Sequence, residues 1–230
     1  MLIRPSGHVG GDLIGCLRLD AERIAVYSID VSGHGVASAM MTARLAGYFS
    51  GSVEERLIAW GRGADGKFRL RRPAEVVSAF NRLMLNDIRA EQYFTMVYAE
   101  VCLSRGEVTF VQAGHPHPLL LRRNGEIKPV GAGGLPVGLI EEAQYEEHSV
   151  HLRPGDRIVL VSDGMTECPG EKGAELGESG LERLVARLAP LNGPDFLEGL
   201  VAGLSRHAGG AGFPDDVSGL LLEYRGESGT

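Results

Sequence analysis

Five aspartates of this chain occupy positions from which they could do chemistry together. Asp12 follows Gly10-Gly11 and immediately precedes an alternating apolar stretch. Asp30 ends the apolar run Ile24–Ile29 and opens DVSGHG at 30–35, and Asp163 ends Arg157–Ser162 and opens DGMTE at 163–167. Asp215 and Asp216 immediately precede the apolar run Val217–Tyr224. One aspartate at a strand–turn junction is ordinarily a turn residue, because its carboxylate bonds its own backbone. Repetition of the pattern beside glycines points further. If these strands are neighbours, the carboxylates meet at one sheet edge. Two bare carboxylates about 4 Å apart repel by roughly 4 kcal/mol at an effective dielectric of about 20. Such a cluster takes up protons or holds cations. Hard divalent ions, Mg²⁺ or Mn²⁺, suit carboxylate and water oxygens without His or Cys ligands.

Other reactive residue types fit poorly with a site of their own. GRGADG at 61–66 satisfies G-x-G-x-x-G, and Gly61 to Lys67 nearly forms a phosphate-binding loop. Phe68 stands where Ser or Thr would hold Mg²⁺, no strand precedes the segment, and Arg-Arg-Pro follows instead of a helix, so it reads as a loop. His34, His115 and His117 lack Cys or Glu at zinc-ligand spacing and read as structural turn residues. Ser32 and Ser162 flank the Asp motifs, but no G-x-S-x-G elbow exists. Met40 and Met41, with Leu45, read as core. Arg62, Lys67, Arg69, Arg71 and Arg72 form a basic run that is either a solvated loop or a docking surface for an acidic partner.

The elements that must position the acids follow from period and punctuation. Leu13–Leu19 alternates with Leu13, Gly15, Leu17 and Leu19 on one face, a strand paired through Asp20–Arg23 with Ile24–Ile29. Val36–Phe49 is rich in Ala, Met and Leu and reads as a helix. Pro73 opens another, with Val76, Val77, Phe80, Leu83 and Met84 on one face. Phe94–Leu103, Glu107–Ala113 and Pro118–Arg122 read as strands, and Asn124-Gly125 signals a type I′ hairpin into Glu126–Val130. His148–Leu152 and Arg157–Ser162 flank the turn Pro154-Gly155-Asp156. Helices are predicted at Leu181–Leu188 and Pro194–His207, and a last strand at Val217–Tyr224. Runs of strands joined by tight turns mean antiparallel sheet and an α+β class. Residues 51–72 read as a long exposed loop insertion.

Composition narrows the function. The chain has 230 residues, the size of one domain, with 23 basic against 30 acidic residues and a net charge of −7. That balance disfavours a non-specific grip on nucleic acid or anionic membrane. The three cysteines, Cys16, Cys102 and Cys168, form neither a disulfide framework nor a zinc ribbon. With no signal-peptide core in MLIRPSGHVGGD and no run of 18 apolar residues, a cytoplasmic setting is expected.

GGD at 10–12, DVSGHG at 30–35, AGHPHP at 113–118, GLPVG at 134–138, PGDRIVLVSDGMTE at 154–167 and DDVSGLLLEY at 215–224 occur in order. Together they resemble the metal-dependent protein phosphatase (PPM) superfamily, in its bacterial sporulation-protein-E/RsbU-like branch. The resemblance implies a four-layer αββα sandwich of two mainly antiparallel sheets flanked by helices, and one catalytic domain over residues 1–230. It also implies hydrolysis of phosphoserine or phosphothreonine on a regulatory protein, such as a phosphorylated anti-sigma-factor antagonist. By resemblance, Asp30 bridges two Mg²⁺ or Mn²⁺ ions, the Val31 carbonyl holds the second ion, Asp163 and Asp215 complete the first, and Asp12 holds metal-bound water. Asp216, adjacent to that ligand position, could exchange roles with Asp215, and a third ion is left open. The ions would activate a water for in-line attack on phosphorus. An upstream sensor or receiver domain is implied in the full-length chain, a homodimer is left open, and the chain begins almost at its first motif, as an excised domain would. Two other functions stay open: a catalytically degenerate domain that binds a protein, and a two-metal phosphohydrolase acting on nucleotides.

The sequence also departs from the family pattern. Gly15 stands where many relatives carry a second acid, Ile29 where a small residue precedes the DVSGHG Asp, and no counterpart exists for a phosphate-binding Arg, Arg4 matching no motif. One fewer carboxylate predicts weak metal use, which an upstream domain packed against Val36–Phe49 could strengthen.

Overall fold

The computed structural model describes residues 1–7, 9–33, 35–50, 58–63, 65–88 and 92–226, so His34 lies outside the described residues. Two five-stranded sheets dominate. One runs, in spatial order, β1 (Leu2–Arg4), β12 (Val217–Glu223), β11 (Arg157–Val161), β8 (Leu119–Leu121) and β9 (Ile127–Pro129). The other runs β10 (Glu147–His151), β7 (Glu107–Ala113), β6 (Phe94–Cys102), β3 (Arg23–Val31) and β2 (Asp12–Arg18). Every strand pair in both is antiparallel. Helices α1 (Val36–Gly47) and α2 (Pro73–Arg82) belong to the side of the second sheet, and α4 (Gly177–Leu188) and α5 (Gly193–His207) to the side of the first. A one-turn α3 (Asp163–Thr166) follows β11.

Strand alternation builds three apolar layers from these pieces. Val26, Val97, Ala99 and Phe110 of one sheet meet Leu120, Ile158, Leu160 and Leu220 of the other. The opposite faces, with Ala25, Tyr27, Ile29 and Val31 of β3, pack on Met41 and Leu45 of α1 and on Val77 and Phe80 of α2. Val159, Val161 and Val217 pack on Leu184, Phe196 and Leu200 of α4 and α5. Helix, sheet, sheet, helix is the expected αββα order.

Four local expectations differ from the structure; the first is Met40, read as core but 69% exposed on α1 while Met41 and Leu45 are buried. Residues 60–62 and 68–70 form a two-stranded ribbon, β4 (Trp60–Arg62) and β5 (Phe68–Leu70), rather than loop; Ile58 and Ala59 beside it are buried against the α1/α2 core. Short, half-buried strands rich in Arg and Gly carry too weak an alternation to be read from sequence. Residues 51–57 of that insertion lie outside the described residues. The Asn124-Gly125 hairpin has a three-residue loop, closed by Arg122 N–H to Glu126 O at 2.8 Å and Gly125 N–H to Arg122 O at 2.9 Å. The second helix ends its α-helical part at Arg82 and continues as a π-helical turn over Leu83–Ile88.

Candidate metal centre

The aspartates converge because four strand ends share one pole of the sandwich. β2 starts at Asp12 and β3 ends at Val31, and their antiparallel register sets Asp12 directly opposite Asp30. Residues 26, 28 and 30 face the opposing sheet while 25, 27, 29 and 31 face the helices. Asp12 and Asp30 therefore both point between the sheets. On the opposing sheet β11 ends just before Asp163, and β12 begins just after Asp215-Asp216. β2 lies against β12, which brings the two sets together.

Both Asp216 oxygens are engaged by the N-terminal segment. One of its oxygens accepts the Ser6 N–H at 2.7 Å and the Ser6 hydroxyl at 3.1 Å, and the other accepts the Gly11 N–H at 2.6 Å. It ties the N-terminal segment to the start of β12. Gly10 permits this approach, since a Cβ there would stand 2.2 Å from Asp216 Oδ2. Asp215 is exposed, and its Oδ1 accepts the neighbouring Asp216 N–H at 2.7 Å. Where sequence left the two acids interchangeable, packing separates them.

Charge in the cluster is uncompensated. Among the described residues no Lys, Arg or His forms an ion pair with any of the five aspartates. Asp12 is 7% exposed, and neither of its oxygens has a hydrogen-bond partner among the described residues. Burial pushes its pKa up to about 7, helped by Asp216 and Asp163. The Ser218 and Ser162 hydroxyls lie near it and oppose the rise. Neither bonds it: Ser162 Oγ donates to Asp216 O at 3.2 Å and accepts the Ser218 N–H at 2.9 Å. Asp30 is raised by burial first, then by Asp163, Asp12, Asp215 and Asp216. Asp163 rises by burial and by Asp215, against the Gly164 N–H and the facing Asp30.

Orphaned buried carboxylate oxygens and proton uptake are the marks of a place built for cation charge. Among the described residues no group of three or more His, Cys, Asp or Glu side chains is arranged to hold one ion as it stands. An ion here would take one or two carboxylates and complete its shell with water and backbone oxygen. That is the habit of Mg²⁺, which dehydrates reluctantly and uses few protein ligands. The donor set therefore fits such an ion. Val31, buried at the end of β3, presents a carbonyl beside Gly11: a Cβ on that glycine would be 3.0 Å from it.

The residues beneath the acids are less visible in sequence. His115 is buried between the sheets, its Nδ1 bonded to Thr95 Oγ1 at 2.8 Å and its Nε2 to Ser28 Oγ at 2.9 Å. Thr95 is the register partner of Asp30 across β3 and β6, and Ser28 is two residues from Asp30 on the same face. Burial drives the ring's pKa down to about 3, so it stands neutral behind the cluster. It is a structural residue in the bend after β7, as the motif suggested, and an interior support. Ser162 and Ser218 had one available signal: each lies two residues from, or next to, a site acid on a strand end.

Gly15 is not a lost ligand. It pairs with Tyr27 and faces the helices, away from Asp12. A Cβ at this position would stand 2.2 Å from the Tyr27 hydroxyl oxygen, and the Tyr27 ring stacks on Phe49 with centroids 3.8 Å apart. The expectation of weak metal binding from this departure therefore loses its basis. Gly15→Asp should lower thermal stability by roughly 1–3 kcal/mol through overpacking and leave Mn²⁺ affinity unimproved. Tighter Mn²⁺ binding by calorimetry would show that position 15 reaches the site after all.

Comparisons with known proteins agree with this architecture. The chain is similar to the phosphoserine phosphatase RsbP of Bacillus subtilis, at 28% identity over 70% of this chain and 38% of RsbP. It is similar to the phosphoserine phosphatase RsbU of the same organism, at 29% identity over 74% of this chain and 46% of RsbU. The chain thus spans less than half the length of these curated relatives. Its fold is that of the SiaA-PP2C domain of Pseudomonas aeruginosa, with a TM-score of 0.80 and 23% identity over 97% of this chain and 84% of that one. The family model for stage II sporulation protein E (SpoIIE) matches residues 20–225, a span that holds Asp30, Asp163, Asp215 and Asp216 but not Asp12. The chain belongs to the SpoIIE family.

Proposed function

We propose that this chain is a metal-dependent protein serine/threonine phosphatase that removes phosphate from a phosphorylated regulatory protein. The observation that carries the reading is the cluster of aspartates at one pole, with both Asp12 oxygens buried and, among the described residues, unpartnered. Its similarity to two phosphoserine phosphatases supports the reaction class.

In this reading Asp12, Asp30, Asp163 and Asp215, with the Val31 carbonyl, hold Mg²⁺ or Mn²⁺, two ions in number. When bound, the ions would supply an activated water and neutralise charge on the phosphoryl oxygens. The chain's own contribution is placement. Asp12 and Asp30 are fixed by strand register, so their carboxylates need no reordering to meet an ion. Asp216 is a positioning residue that fixes the Gly10–Asp12 approach through the Gly11 N–H. Asp215 is exposed at the rim, just before β12. The 230 residues act as one catalytic unit, and in the intact protein an added sensor or receiver domain governs it, as the greater length of its relatives suggests. Among the described residues no helix is long and apolar enough to cross a membrane. The free thiols of Cys16, Cys102 and Cys168 suit a reducing cytoplasm.

The test is phosphate release from a phosphoserine peptide with Mn²⁺ or Mg²⁺, beside a panel of nucleotides. Activity on the peptide should vanish with EDTA and return with either ion, with no need for Zn²⁺. Full turnover in excess EDTA, or hydrolysis of nucleotides alone, would sink the reading.

A further inference from the structure

The basic run of the insertion has no part in the centre described above. We infer that the β4–β5 ribbon and α2 form a docking cleft for an acidic segment of a partner protein. The cleft, about 380 Å³, is lined by Arg62, Arg69, Arg71 and Arg82 with Glu75 and Ser78. Four guanidiniums thus face one carboxylate in a chain whose net charge is −7.

The chain itself holds three of them in place. Arg62 lies 4.5 Å above the Phe68 ring and donates to Gly66 O at 3.0 Å. Arg69 grips Glu75 with both terminal nitrogens, one at 2.8 Å. Arg71 donates to Ile58 O at 2.7 Å. Its guanidinium lies close to Gly61, where a Cβ would stand 2.5 Å from Nε. A side chain there would displace the guanidinium. Glu75, Ser78 and Arg82 fall at i, i+3 and i+7, one face of α2. Arg82 is exposed and has no hydrogen bond or ion pair among the described residues. Burial, with Arg82 and Arg69 nearby, depresses the Arg71 pKa, as expected where positive charge exceeds its partners.

Guanidiniums held before the ligand arrives lose little freedom on binding it, and their planar forks match carboxylates. The four heads are spread over a ribbon and a helix, in a cleft larger than one phosphate needs. Several carboxylates along a peptide satisfy them; one small anion does not. The overall negative charge disfavours nucleic acid as the occupant.

The test is fluorescence anisotropy of labelled hexaglutamate with the whole chain at low and high salt. Hexaglutamate should bind with an affinity that falls as salt rises, and hexaglutamine should not bind. Arg82→Glu should weaken binding about tenfold; this exposed residue, unpartnered among the described residues, can change without harm to the fold. Arg71→Gln, checked by its melting curve, should weaken it as well. Equal affinity for hexaglutamine, or unchanged binding in Arg82→Glu, overturns the proposal. Competition by inorganic phosphate as effective as by unlabelled hexaglutamate at matched ionic strength overturns it in favour of a single-anion site. Tighter binding of a six-nucleotide oligothymidine overturns it in favour of nucleic acid. None of these readouts depends on phosphatase activity.

Discussion

Asp30→Asn is expected to cut turnover on a phosphoserine peptide by at least about 100-fold at saturating Mn²⁺, since even outer partners of metal ligands are worth 10–100-fold. Asp30 faces Asp12 across the β2–β3 ladder and feels every other acid of the cluster. Asn keeps the shape and removes the charge, so the strand end and its register survive. The loss would then be one of cation binding rather than of folding. Cys102→Ser makes the control: Cys102 pairs with Arg23 at the far end of β3 and β6, and its turnover should match wild type. The readouts are initial rate against Mn²⁺ concentration and a melting curve for each variant. Near-wild-type turnover in Asp30→Asn, with both proteins folded, would show that Asp30 holds no essential ion.

With EDTA present, the wild-type protein should lose stability as pH rises from about 4 to about 7, and Asp12→Asn should lose less. Asp12 titrates near 3.8 when unfolded and is pushed up to about 7 in the fold. Over that interval the native state binds the proton that the unfolded chain releases, so unfolding free energy falls with rising pH. The shift is of order 4 kcal/mol at most for this one group. Asp30 and Asp163 are raised too and act in the same direction. His115 opposes them: its folded pKa falls from 6.5 to about 3, so its burial favours stability increasingly as pH climbs to 6.5. Glu75, lowered to about 2, has made its full contribution above the ordinary carboxylate range and adds no slope there. The acids outnumber the histidine, so the net trend is downward, and it is clearest between about pH 6.5 and 7, where His115 no longer counters it. Adding Mn²⁺ at pH 8 should restore stability by mass action, about 2.7 kcal/mol at a hundredfold excess over Kd. Chemical denaturation at several pH values, with EDTA and with Mn²⁺, measures all of this. Metal-free stability that is flat or rises from pH 6.5 to 7 in wild type would contradict the uncompensated cluster.

The amino-acid sequence determined the site's ingredients by itself. Each acid stands at a strand–turn junction, and strand and helix periods are local properties of the chain that survive without any knowledge of neighbours. Alternation even placed Gly15 with Leu13 and Leu17, hence opposite Asp12; only the packing of that face on α1 and Tyr27 revealed that the site lies on the other side. The same limit governed Asp215 and Asp216. They are adjacent and chemically identical, and what separates them is a pair of N–H groups on Ser6 and Gly11, more than 200 residues away along the chain. The support from His115, Ser28 and Thr95 joins two strands and the bend after β7, and the Arg cleft joins a weak ribbon to a helix face. Hydrogen bonds and desolvation act through space, over a few ångströms, between segments whose separation in sequence carries no signal. Residue types and periods were therefore legible in the chain, whereas partners, burial and the charge state of the carboxylates were decided by tertiary structure alone.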